Sequence, residues 1–230
     1  MLVLAIDTST KVGSVALFDE KKGLLGEILI NVKTNHSDTI MNAIDYLMTV
    51  SGVSVDELGR IAVTLGPGSF TGIRIGIAIA KAMVFGKKIE IVAMNTLDLL
   101  AHEISEKTFV MPLIDAKKGR AYYSFYKNED TLSKLESYKD GEIKEFLEEY
   151  KDKEIVFTGD GAYNYRELIE EIMGVNAKFI PRSRICPRAG ILAEKAINLS
   201  PVNDILLEPY YHSKTQAERE KEAKSEKTTK

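Results

Sequence analysis

The stretch from Arg60 to Phe85, R-I-A-V-T-L-G-P-G-S-F-T-G-I-R-I-G-I-A-I-A-K-A-M-V-F, constrains the rest of the chain most. Ile61 to Leu65 reads as a strand, Gly66-Pro67-Gly68 as a tight turn, and Thr71 to Phe85 as a helix stopped by Gly86. At 100° per residue, Ile73, Ile75, Ile77, Ile79, Ala82, Met83 and Val84 point in nearly every direction. Arg74 and Lys81 share one narrow side. A helix apolar all round has to be buried all round. It is too short to cross a bilayer, so protein must cover it. Gly72, Gly76 and Ala80 recur every fourth residue and form a groove into which another helix is expected to pack. The helix therefore needs covers on two sides.

The surrounding sequence supplies one set of covers. Leu2 to Asp7, Gly13 to Asp19 and Leu24 to Val32 read as a three-strand meander, followed by a helix over 36–51. That helix is apolar over more than half its circumference, wider than one core contact needs. Ser54 and Glu57 form a capping-box pattern, and Glu90 to Met94 and Thr96 to Glu106 continue as strand and helix. The order β-β-β-α-β-α-β-α then recurs. Thr108–Ile114, Arg120–Lys127 and Leu132–Ser137 are strand-like. Glu142–Tyr150 is helical, 154–158 a strand, 165–173 a helix, 177–180 a strand and 188–199 a helix. Such an order is that of a ribonuclease-H-like unit, and two in tandem make the actin-like ATPase-superfamily architecture. The expected division is 1–106, 107–212 and a charged, flexible tail at 213–230.

With 230 residues, 44% hydrophobic and 28% charged, the composition suits a globular α/β chain. A net charge of -3 excludes a surface that grips nucleic acid throughout. One cysteine, Cys186, allows no internal disulfide and suits a reducing compartment. No apolar run reaches membrane-spanning length, so a cytoplasmic protein with no membrane role is expected.

Two loops invite an anion. Asp7-Thr8-Ser9-Thr10 joins two strands, where actin-like proteins place a first phosphate loop. Gly66 and Gly68 open a helix whose N-terminal amides favour negative charge. The plain reading of each is a turn with a capping hydroxyl. Asp115 stands where a second phosphate loop would, but Lys117-Lys118 lack its glycine run. Gly159 and Gly161 stand where such folds touch an adenosine. His36, His102 and His212 have no ligand spacing, so no metal is expected, and no catalytic set is found.

Taken together, A-I-D-T-S-T near the start, Asn35-His36-Ser37, G-P-G-S-F-T-G-I-R-I-G-I-A-I-A-K at 66–81, Met94-Asn95-Thr96-Leu97, I-D-A-K-K-G-R-A-Y at 114–122 and Glu208-Pro209-Tyr210-Tyr211 resemble the TsaB (YeaZ) family. The resemblance covers the chain to about residue 211. It implies a non-catalytic accessory subunit in forming N6-threonylcarbamoyladenosine beside the anticodon of tRNAs that read codons beginning with A. It implies a heterodimer with the catalytic TsaD, recruitment of the ATPase TsaE, and tRNA contact only through the complex. It leaves no cofactor in the isolated chain and puts any ATP or ADP at the complex interface. TsaD holds its metal with a His-x-x-x-His pair where this chain has Thr96 and Leu100. The helical bundle through which the family pairs with its partner points to Met41, Tyr46, Met48, Ile75, Ile79 and Met83 as interface residues. Without the partner, the same surface is expected to form a homodimer. The competing reading is a small ATP-dependent actin-like phosphotransferase using Asp7 and Asp115.

Overall fold

The computed structural model describes residues 1–31 and 36–210. The expected tail at 213–230, with Asn35 and Tyr211 of the quoted motifs, lies outside them.

The first sheet is built from β1 (Leu2–Asp7), β2 (Val12–Asp19), β3 (Gly23–Asn31), β4 (Leu58–Thr64) and β5 (Glu90–Met94). Its strand order is β3-β2-β1-β4-β5, antiparallel through the meander and parallel from β1 to β5. The central strand β1 is buried along nearly its whole length, as its unbroken apolar sequence requires. Helices α1 (His36–Ser51) and α2 (Phe70–Val84) cover one face. On α1, Ile40, Ala43, Ile44, Leu47 and Met48 are buried at one-face helical spacing. Ser69 caps α2, its hydroxyl accepting from the Gly72 amide.

After α3 (Thr96–Ala101) the pattern repeats. The second sheet contains β6 (Thr108–Lys117), β7 (Arg120–Tyr123), β8 (Tyr126–Asn128), β9 (Leu132–Lys134), β10 (Lys139–Glu142), β11 (Ile155–Thr158) and β12 (Ala177–Phe179). Its main path is β10-β7-β6-β11-β12, the same third-second-first-fourth-fifth order as the first sheet. The third-strand role falls to β10, whereas residues 132–137 were expected to fill it. Leu132–Lys134 pairs instead with β8 in a side ribbon. The expected strand over 120–127 is broken at Ser124-Phe125, where the Ser124 hydroxyl donates to the Glu136 carbonyl. Helices α4 (Ile143–Glu148), α5 (Asp160–Asn164) and α6 (Arg166–Met173) complete the unit.

The last helix among the described residues, α7 (Ala189–Ala196), departs from the expected division at 107–212. It packs on the first sheet, where Ala189, Leu192, Ala193 and Ala196 meet Val3, Ala5, Ala16, Ala62 and Val92. Small side chains on both surfaces let helix and sheet approach closely. Ser14 accepts from the Ala189 amide at 2.9 Å. Arg60 donates to the carbonyls of Ala196, Ile197 and Leu199 at 2.6, 2.9 and 3.0 Å, closing the other end of the helix. Val202 then bridges to Ile91 at the sheet edge, Leu207 enters the first core, and the Tyr210 amide bonds to the Leu65 carbonyl.

Candidate functional site

Asp7, Thr8 and Ser9 are buried at the end of β1, directly against the glycine block that opens α2. The Ser69 amide donates to the Ser9 carbonyl at 2.6 Å, and the Thr8 hydroxyl to the Gly72 carbonyl at 2.7 Å. Gly68 has φ 153°, and a Cβ there would overlap the Ser9 carbonyl. At Gly72 a Cβ would overlap the Thr8 carbonyl, and at Gly76 it would lie 2.5 Å from the Thr8 hydroxyl. The groove expected to receive another helix is therefore filled by this chain's own β1–β2 turn. Gly66 is buried in the same assembly, with the Thr96 amide on its carbonyl.

The side-chain hydroxyls and the Ser9 and Ser69 amides, which a phosphate could use, are engaged within the protein. Asp7 Oδ1 accepts from the Ser9 hydroxyl at 2.7 Å, the Thr64 hydroxyl at 2.5 Å and the Ser9 amide at 3.4 Å. Its Oδ2 is buried without a hydrogen bond. Burial pushes the carboxyl up to about 6, against the bonds from Ser9 and Thr64. These residues do not fit a metal-nucleotide. The carboxylate faces inward and the hydroxyls are engaged.

The second hairpin gathers Asp115, Gly159 and Gly161 separately. Asp115 accepts from the Lys117 amide and ammonium, both at 2.7 Å, from the Tyr165 hydroxyl at 2.8 Å and from Asn164 at 3.0 Å. Burial pushes its carboxyl up, but these bonds outweigh that and hold it below the usual range. Gly159 and Gly161 let the start of α5 lie against the backbone of Leu113. The Leu100 methyl is the next neighbour of Gly159. Thr96 and Leu100 are both buried. Burial pushes the Cys186 thiol up, the opposite of what activates a nucleophile.

The expected interface residues divide. Met41 and Tyr46 are exposed, at 43% and 62%, and Ile75 and Met83 are half-buried. Met48 and Ile79, at 7% and 8%, belong to the first core and are withdrawn from the expected surface. Both pack into the core that α1 and α2 share with the first sheet. Sequence reasoning passed over Val50, 60% exposed, and the outward row Thr71, Arg74, Ala78, Ala82 on α2. Val50 lies i+7 from Ala43 and i+3 from Leu47, so helical spacing alone continues the inward stripe onto it, and only the structure shows it exposed at the end of α1. Helices α1 and α2 both pack on the first core; the exposed apolar side chains on α1 are Met41, Tyr46 and Val50, and the exposed row on α2 is small except for Arg74.

Two ribonuclease-H-like units in tandem, each with the same strand order, define an actin-like ATPase-superfamily fold. A family model described as TsaD, tRNA N6-adenosine threonylcarbamoyltransferase, matches residues 23–218. The chain belongs to the TsaB (YeaZ) branch of that family. The tRNA threonylcarbamoyladenosine biosynthesis protein TsaB of Bacillus subtilis (strain 168) is 29% identical over 84% of this chain and 86% of its own length. The TsaB of Buchnera aphidicola subsp. Schizaphis graminum is 33% identical over 70% of this chain and 79% of its own. A solved structure, YeaZ from Pseudomonas aeruginosa, superposes with a TM-score of 0.77 over 91% of this chain and 99% of that one, at 23% identity.

Proposed function

We propose that this chain acts in the biosynthesis of threonylcarbamoyladenosine in tRNA as a non-catalytic subunit. It pairs with TsaD through the outward faces of α1 and α2, and the pair recruits TsaE. tRNA is handled only through the complex, and any ATP or ADP sits at its interface. Alone, the chain pairs with itself through the same faces. The observation that carries this reading is the surface of α1, where Met41, Tyr46 and Val50 stand in solvent on a helix that packs against α2. The inward-turned Asp7 hairpin supports a role without nucleotide turnover by the chain itself.

The test is co-purification with TsaD, followed by threonylcarbamoyl transfer with and without this chain. Transfer that needs the chain, with no ATP turnover by the chain alone, is the expected result. Equal transfer by TsaD alone overturns the proposal, and ATP turnover by the isolated chain favours the phosphotransferase reading.

A further inference from the structure

A cleft of about 470 Å³ opens between the first unit, at the end of β5 and along α3, and the β8–β9 ribbon of the second. It lies apart from the Asp7 and Asp115 hairpins. Leu100 of α3 turns toward Gly159, while Asn95, Asp98 and His102, spaced i, i+3 and i+7, share the face that lines the cleft. The volume is within the range of small-molecule sites.

The charges in the cleft cancel. Asp98 accepts from the Tyr126 hydroxyl at 2.7 Å and from the Tyr138 hydroxyl, and pairs with Lys134 at 3.2 Å. The Lys134 ammonium also lies 3.7 Å from the Tyr138 ring centroid. Burial pushes the His102 imidazole down, and the Lys195 ammonium adds to this, so the ring is neutral at pH 7. The ligand this cleft suits is therefore uncharged.

What remains unspent is a polar edge between apolar walls. The Asn95 side-chain oxygen accepts from the Leu97 amide at 2.8 Å, leaving its amide nitrogen to donate into the cleft. The neutral imidazole of His102 offers one donor and one acceptor. Leu65, Leu132 and Leu199 wall the space, and the Tyr138 and Tyr210 rings meet edge to face at 5.7 Å and 70°. From Asn95 to His102 is about 10 Å along the helix, enough for a two-ring heterocycle and its substituent.

We propose that this cleft binds an uncharged heteroaromatic ring of the nucleobase type, its edge read by Asn95 and His102 and its faces held by leucine and tyrosine side chains. The site does not depend on the partner-binding reading above.

The full chain is titrated with adenosine, AMP and benzyl alcohol, with calorimetry and the His102 ring resonances as readouts. Adenosine is expected to bind and shift those resonances, AMP to bind no more tightly, and benzyl alcohol more weakly. His102→Leu and, separately, Leu132→Trp, which fills the space, are each expected to weaken adenosine about tenfold. The unfolding midpoint of each variant is checked in parallel. Absence of binding at saturating adenosine overturns the proposal, as does undiminished binding in both folded variants. Tighter binding of AMP, or equal binding of benzyl alcohol, overturns it too, since either would make the cleft an anion site or a merely greasy one.

Discussion

The hydroxyl of Thr8 donates to the carbonyl of Gly72 at 2.7 Å, joining residues 64 positions apart at the point where the β1–β2 turn meets the first turn of α2. The two backbones also meet at this point, since a Cβ on Gly72 would overlap the Thr8 carbonyl. Gly72→Ala is therefore expected to destabilise the chain by about 3 kcal/mol, the upper part of the usual overpacking range. Urea unfolding of the variant beside the parent measures it. An unchanged midpoint would show that the turn yields freely.

Asp7 gives stability a pH dependence. Its folded value of about 6 lies above the ordinary aspartate value of about 3.8, so the folded state holds the proton more tightly. The stability it contributes is full below about 4 and lost as pH rises through about 6, a change of order 2–3 kcal/mol. Glu103, which burial pushes up to about 7, changes in the same direction over a neighbouring window. The difference between parent and Asp7→Asn isolates the Asp7 share. Asn is expected to gain on the parent between pH 4 and 7 in denaturant titrations, and parallel curves would refute the assignment.

Tyr46 and Met48 stand two residues apart on α1 with opposite fates, 62% and 7% exposed. Tyr46→Glu is expected to leave the unfolding midpoint near that of the parent while abolishing co-purification with TsaD. Met48→Glu buries an unpaired charge and is expected to cost more than about 3 kcal/mol. Retention of TsaD by a folded Tyr46→Glu, Val50→Glu double variant would move the interface elsewhere.

Arg188 anchors α7 to the first sheet through Glu27, whose side chain is 5% exposed. Glu27 also accepts from the Gly190 amide at 2.9 Å. Arg188→Met leaves that carboxylate buried and unpaired, at an expected cost of about 3 kcal/mol. Faster amide exchange across Ala189–Ala196 is the expected mark, and adding Glu27→Gln should restore part of the loss.

The first unit was legible because its periodicities are strong. The meander, α1, α2 and β5 lie within a residue of where apolar spacing puts them, and β4 begins three residues earlier, at Leu58. The glycine stripe of α2 was misread for a physical reason. Spacing shows that something approaches closely, and it does not tell a neighbouring molecule from a turn sixty residues upstream. The same limit applies to α7. An alanine- and leucine-rich helix fits either sheet, and what assigns it to the first is Ser14, Glu27 and Arg60, each more than a hundred residues away. Met48 and Ile79 were placed outward because each helix was apolar over too wide an arc for sequence to say which part faces the core. The cleft beside α3 left no trace in the sequence, since its lining comes from five separated segments.

The return of α7 and Leu207 to the first sheet bears on how the molecule comes into being. A growing chain that has released β1 to β5 but not yet α7 has one face of that sheet bare. The first sheet must wait for residues synthesised about a hundred positions after β5 before that face can close. A nascent chain stalled just after β12 should remain open to protease at β1 and β2, and one released through Leu207 should not.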